Sequence, residues 1–168
     1  MALTTKITLR VNANRTNALD HSIPADALDF LKTFSWATGV ALDQADLMFS
    51  DQRTLASGAS EEMDLAGVLT DGLGATLTFA RIKLLFLFSA VVNPGNINVG
   101  GAAANGFSTP FLAAANELVL RPGGFLVLGA PDATAYVVTA ATGDLLRLEE
   151  MSSGGAAIYD IVLIGASV

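Results

Sequence analysis

Apolar and polar side chains alternate from the start of the chain. Leu3, Thr5, Ile7, Leu9 and Val11 share one phase, and Thr4, Lys6, Thr8 and Arg10 share the other. A period of two predicts a half-buried antiparallel strand over 3–11. Asn12, Asn14 and Asn17 then read as a turn-rich patch. Between 27 and 36 two periods compete. Leu28, Leu31 and Phe34, following Ser22 and Pro24, fit a short helix with a start signal. Leu28, Phe30, Phe34 and Trp36, alternating with Asp29, Leu31, Thr33 and Ser35, fit a strand interrupted on its first face only by Lys32. The strand template matches more positions and suits the aromatics, so a strand is predicted.

Residues 43–71 form the acidic part of the chain. Leu47, Met48 and Phe49 predict a short strand, and 64–69 a short strand or one helical turn. Asp71-Gly72-Leu73-Gly74 is a turn signal leading into the next strand. There, Leu77 and Phe79 oppose Thr76 and Thr78, but after Ala80 the phase inverts, with Ile82 and Leu84 apolar and Arg81 and Lys83 polar. A one-residue slip of this kind requires a bulge or bend. Residues 84–88 are apolar in both phases, as in a strand covered on both faces.

No charged residue occurs between 84 and 116. Short strands are expected around 97–99 and 107–112, punctuated by Pro94-Gly95-Asn96 and Gly100-Gly101. The turn Arg121-Pro122-Gly123-Gly124 between 118–120 and 125–128 reads as a hairpin, and so does Thr142-Gly143-Asp144 between 136–140 and 145–148. In the last strand, 158–164, Tyr159, Ile161 and Leu163 form one face. Ile158, Asp160, Val162 and Ile164 form the other, too apolar for free solvent. Many short strands at near-regular spacing predict an all-β fold: a jelly-roll-like β-sandwich with at most one or two short helical turns. No constant-period repeat or dividing linker is visible, so the expectation is a single domain over 1–168, with a possible short N-terminal arm before Leu3.

Composition changes this picture in one respect. Charged residues are 15% of the chain, against about 25% in average proteins, while 52% are hydrophobic. So few charges for the exterior of a 168-residue chain suggest that other subunits cover part of its surface. The absence of cysteine removes disulfides and thiolate chemistry. A net charge of −7 with scattered basic residues argues against phosphate-backbone binding. The N-terminus lacks a signal-peptide pattern, and the longest apolar run, 84–92, is broken by Ser89 and too short to span a bilayer as a helix. The expectation is a soluble protein made in a cytoplasm, with no nucleic-acid or membrane partner.

Candidate chemistry is sparse. The one histidine, His21, sits beside Asp20 in an expected turn, and no Gly-x-Ser-x-Gly elbow supports a triad. Asp43, Asp46, Asp51, Glu61, Glu62 and Asp64 could ligate calcium or supply a glycosidase acid pair, but their spacing fits no EF-hand loop. Asp51 and Arg53 are placed to pair locally. The glycines follow neither phosphate-binding fingerprint. Phe30, Phe34 and Trp36 suit either a sugar-stacking platform or core packing, and core packing is the ordinary use. No catalytic residue, cofactor or metal site is predicted.

Three segments, DQADLMFSDQRTLASG, DLAGVLTDGLGATLTFARIKLL and RPGGFLVLGAPDATAYVVTAATGDLLRLEEMSSGGAAIYDIVLIG, resemble small proteins encoded among the virion structural genes of tailed bacteriophages. These are read as head decoration, cement or minor structural proteins. The resemblance carries no site motif. It implies a non-enzymatic capsid decoration protein in the virion, commonly trimeric, that binds the major capsid protein. The alternative is a tail, baseplate or receptor-binding component. Subunit contacts are expected at Phe107 and Phe111 in the uncharged span and at Ile158, Val162 and Ile164 on the outer face of the last strand.

Overall fold

The computed structural model describes residues 2–152 and 154–168, and among them every regular element is a strand. The chain opens with two long strands, β1 (Thr5–Thr16) and β2 (Ala25–Thr38), paired antiparallel along their whole length. The segment open to two periods is thus a strand. The expected asparagine turn is corrected: β1 runs through Asn12 and Asn14, whose amides stand on its solvated polar face. The reversal comes later, closed by Asn17 N–H to Pro24 O (3.2 Å) and Leu19 N–H to Ser22 O (2.9 Å). The two-residue β3 (Gln44–Ala45) pairs parallel with the end of β2.

The remaining strands are β4 (Leu47–Leu55), β5 (Ser60–Asp64), β6 (Arg81–Ser89), β7 (Ile97–Gly100), β8 (Glu117–Leu120), β9 (Phe125–Gly129), β10 (Tyr136–Val137), β11 (Leu145–Glu150) and β12 (Ala157–Ala166). They form two sheets. One runs β4-β12-β6, with β9 and β10 both on the far edge of β6. The other runs β5-β11-β7-β8. Setting aside the short β10, the pairs are nested: β4 with β12, β5 with β11, β6 with β9, and β7 with β8. A long antiparallel hairpin wrapped over a core pairs its strands in this nested way.

Both sheets feed one core. Ile82, Leu85, Leu87, Ile161 and Leu163 come from the first, and Met63, Ile97, Val99, Leu146 and Leu148 from the second. Tyr159, Ile161 and Leu163 point inward, as their alternation predicts. The expected slip near Ala80 is a β-bulge three residues later. Ile164 faces Leu84 while Gly165 faces Ile82, leaving Lys83 as the extra residue. The bulge lets Ile82 and Leu85, an odd interval apart, both enter the same core.

Three expectations are corrected. Residues 107–112 are a loop that turns at 109–111, with Phe107 N–H held by Leu145 O (2.8 Å). Residues 75–79 precede β6 without strand pairing beyond a Thr70–Thr76 bridge, although Leu77 and Phe79 still alternate inward. Neither expected hairpin forms, because each turn carries the chain from one sheet to the other. β8 pairs with β7 whereas β9 pairs with β6, and β10 pairs with β6 whereas β11 pairs with β5 and β7. Local turn chemistry is the same for a hairpin and for such a crossover. What differs is that Leu120 and Leu126 approach the core from opposite sheets.

Candidate assembly surface

β1 and β2 form a two-stranded ribbon whose side chains are almost all exposed beyond its base. Directly opposed residues share a face, so the register defines two different surfaces. One face carries Ile7, Leu9, Val11 and Ala13 opposite Phe34, Lys32, Phe30 and Leu28. The other carries Lys6, Thr8, Arg10 and Asn12 opposite Ser35, Thr33, Leu31 and Asp29. Arg10 and Asp29 hold each other there through two hydrogen bonds of 2.9 Å. On the apolar face, Leu9, Val11, Leu28, Phe30 and Phe34 remain 40–54% exposed. An isolated two-stranded ribbon is marginal in water, and an apolar row this long is unusual on free surface.

The base of the same face is anchored. Trp36 packs with Ala45, Leu84 and Ile164 in a second buried cluster, with Leu3, Ile7, Val127 and Val162 around it. Thr38 Oγ1 bonds both the N–H and the carbonyl of Leu3, each at 2.6 Å. Lys83, buried at the bulge, donates its ammonium to the carbonyls of Val40 (3.3 Å) and Ala41 in the loop after β2. Burial, reinforced by Arg81, lowers the pKa of Lys83. Asp43 N–H to Pro131 O (2.9 Å) and Asp46 N–H to Gly165 O (3.1 Å) complete the attachment. Where the ribbon leaves the sheet, a notch of about 200 Å³ lies between Ile7, Leu9, Phe34 and Trp36 on one side and Leu84, Val127, Gly129 and Pro131 on the other. The buried indole nitrogen of Trp36 has no hydrogen-bond partner among the described residues.

The sheet under the ribbon base extends beyond it. In register, Val162 lies beside Phe86 and Val127 in one row, and Asp160 beside Phe88 and Phe125 in the next, with Ile158 beyond. Phe125 is 71% exposed. Among the described residues Asp160 is the one ionisable side chain in these rows, and it accepts a hydrogen bond from Gln52 Nε2 at 2.8 Å. No family model, curated protein or solved structure matches this chain.

Against this geometry the predicted contact residues divide. Phe107 and Phe111 are buried in the main core, so the uncharged span serves the interior of the chain at those positions. Ile164 is buried beneath Trp36, and Val162 is partly covered by the same cluster. Ile158 stays half-exposed on the outer sheet face. Sequence reasoning missed the larger surface, the distal ribbon. Phe30 and Phe34, expected in the core, stand in solvent there, while Trp36 alone of the three is buried. The N-terminal arm was expected before Leu3. Met1 lies outside the described residues, and the projecting element is the ribbon.

Most carboxylates of the acidic segment are engaged within the protomer. Asp46 accepts bonds from Ser167 N–H (2.9 Å) and Oγ (2.6 Å), Asp64 from Ala66 N–H (2.7 Å), and Asp71 from Leu73 and Ala75 N–H (2.9 and 2.8 Å). Asp51 and Arg53 pair as expected, at 3.0 Å, and Arg53 reaches on to Glu61 at 2.6 Å. Asp51, Glu62, Asp64 and Asp71 line one open cleft of about 490 Å³, with Arg53 among them. Among the described residues no cluster of three or more histidine or acidic side chains is placed to hold a metal ion. His21 is exposed at the ribbon tip.

Proposed function

We propose that this protein is a bacteriophage capsid decoration or cement protein. It binds the major capsid protein in the virion, as a homotrimer assembled in the host cytoplasm, and stabilises the head shell by burying interface, without catalysis or cofactor. The observation that carries this reading is the pair of uncovered apolar surfaces, the distal ribbon face and the outer face of the β4-β12-β6-β9 sheet. Broad faces built from strands suit association by burial; substrate sites are concave and convergent. The nested strand pairing supports reading the fold as a jelly roll, an architecture used in viral capsids and also in lectins, so fold alone names no activity. The three segments that resemble tailed-phage virion proteins supply the setting.

The alternative, a tail, baseplate or receptor-binding component, calls for aromatics and carboxylates together at a loop tip. The ribbon tip carries Leu19, Asp20, His21 and Ile23, while the exposed Phe30 and Phe34 stand on a strand face. That distribution favours the capsid reading. Locating the protein by electron microscopy of the particle tests it. Regular density on the outside of the head is expected, and density confined to the tail would overturn the choice.

A further inference from the structure

We infer that the distal half of the β1–β2 ribbon docks, apolar face down, on the outer sheet face of a second copy of this chain. The inference deepens the assembly reading above and rests on it only for the premise that the chain self-associates; it does not depend on a virion.

The contact already exists once within each protomer. At the ribbon base, Trp36 and Ile7 lie on Leu84, Ile164, Val127 and Val162, joining one ribbon face to one sheet face. Both surfaces continue past the point where the chain stops using them. The ribbon runs on through Leu9, Val11, Phe30 and Leu28, and the sheet through Phe86, Phe88 and Phe125. The ribbon projects, so its distal residues do not cover their own sheet. A neighbour's ribbon would extend an interface whose chemistry and pleat are already matched at its inner end.

Charge selects the same occupant. The ribbon's apolar face holds Lys32, whose ammonium lies 5.8 Å from the Phe30 ring centre, and in its far row the directly opposed Arg15 and Asp26, whose charges cancel. The uncovered rows of the outer sheet face hold one ionic group, Asp160, set between Ile158, Val162 and Phe88. Two apolar surfaces with a net charge of one each, of opposite sign, are complementary to one another. A shell protein of unknown charge offers no such match. Area is consistent with this. Five ribbon side chains at 40–54% exposure offer about 400 Å², since a free aromatic presents about 150–250 Å². With a similar area on the sheet, a copy that gives its ribbon to one neighbour and receives another's on its sheet buries about 800 Å² of its own surface, the share of each partner in a stable interface. Because donor and acceptor surfaces differ, the contact is heterologous and closes as a ring.

The test is the mass of the full chain in solution, measured by sedimentation across micromolar concentrations, with variants of residues that are exposed or half-exposed in the protomer. The wild type is expected to be oligomeric. Phe30→Glu should weaken association at least tenfold while leaving the thermal midpoint of the protomer unchanged. Lys32→Asp and Asp160→Lys should each weaken it, and the double exchange should restore wild-type mass. A monomeric wild type overturns the proposal. So does undiminished association of Phe30→Glu, or failure of the double exchange to recover what the single changes lose. Head density in the particle with a monomeric protein in solution would refute this inference and the homotrimer, and leave binding to the capsid standing. Ribbon-dependent oligomers with no density on any particle would do the reverse.

Discussion

Tyr159 shows how a single side chain joins the two sheets. It is 1% exposed, and its hydroxyl, on β12, donates to Glu61 on β5, whose other oxygen accepts from Arg53 Nη1 at 2.6 Å. Burial, then the Glu61 carboxylate, pushes the phenol far above its ordinary pKa, so it stays a donor. For Arg53, burial alone would lower the pKa, but the bond and charge of Glu61 outweigh it and the net shift is upward. Tyr159→Phe keeps the ring in the core and leaves Glu61 with Arg53, so the expected loss is about 1–2 kcal/mol. A lower urea midpoint at unchanged slope would register it; an unchanged midpoint would refute the clamp. Glu150 makes a prediction about pH. Its carboxylate accepts Gly58 N–H at 2.7 Å and Ser152 N–H at 2.8 Å. These bonds, Gly58's first, hold it below the ordinary carboxyl value of 4.5. A folded pKa below the unfolded one gives stabilisation that is complete above about pH 4.5 and is lost as pH falls through the folded value. Wild type and Glu150→Gln should therefore differ in urea midpoint at pH 7 and converge below pH 4.5 or so. A constant gap down to pH 3 would show that the charge is not the cause. Neither arrangement is legible in the sequence, since Tyr159 and Glu61, and Glu150 and Gly58, meet only through pairing of distant strands.

Elements were legible where one local rule sufficed. The period of two located the inward face of β12 and the strand character of β1 and β2. The broken phase after Ala80 announced a bulge, which the structure puts at Lys83. Crossovers were not legible, because Arg121–Gly124 obeys the same turn rules whether β9 folds back on β8 or leaves for β6. Only the hydrogen bonds of Gly123 and Gly124 to Ser89 and Ala90, 3.0, 3.4 and 2.9 Å long, show where that turn is pinned. The bulge also constrains the opposite strand. A Cβ on Gly165 would stand 2.2 Å from Arg81 O and 2.8 Å from Phe79 Cδ1. Both neighbours are fixed, one as backbone and one as a buried ring. Gly165→Ala should thus destabilise the fold by about 2–3 kcal/mol, as overpacking does. Gly129→Ala, in β9 with nothing within 4 Å of its Cβ, should change it by less than about 0.5 kcal/mol. Equal effects from the two substitutions would mean that close approach at the bulge does not limit the packing.

At the scale of the whole molecule, low charge suggests that other subunits cover some surface, and the structure leaves apolar side chains exposed away from the expected span. The uncharged span 84–116 supplies largely interior positions such as Leu85, Leu87, Ile97, Val99, Phe107 and Phe111. The uncovered apolar area is instead the ribbon, whose alternation reads identically whether its apolar face meets a core or a neighbour. That ambiguity has a dynamic consequence. A strand pair without support on either face opens easily, whereas β6 and β12, each flanked on both edges and packed on the core, open only with the domain. In dilute protomer, the paired amides of 9–16 and 25–32 should therefore exchange with solvent orders of magnitude faster than those of β6 and β12. Raising concentration until copies associate should slow the ribbon amides selectively, because a docked ribbon must undock before it frays. Replacing 10–31 by Asn-Gly, a two-residue turn joining Leu9 to its partner Lys32, should leave the core amides and thermal midpoint unchanged and remove the concentration dependence. If core protection fell with the truncation, the ribbon would be part of the protomer's own stability rather than a surface held ready for another chain.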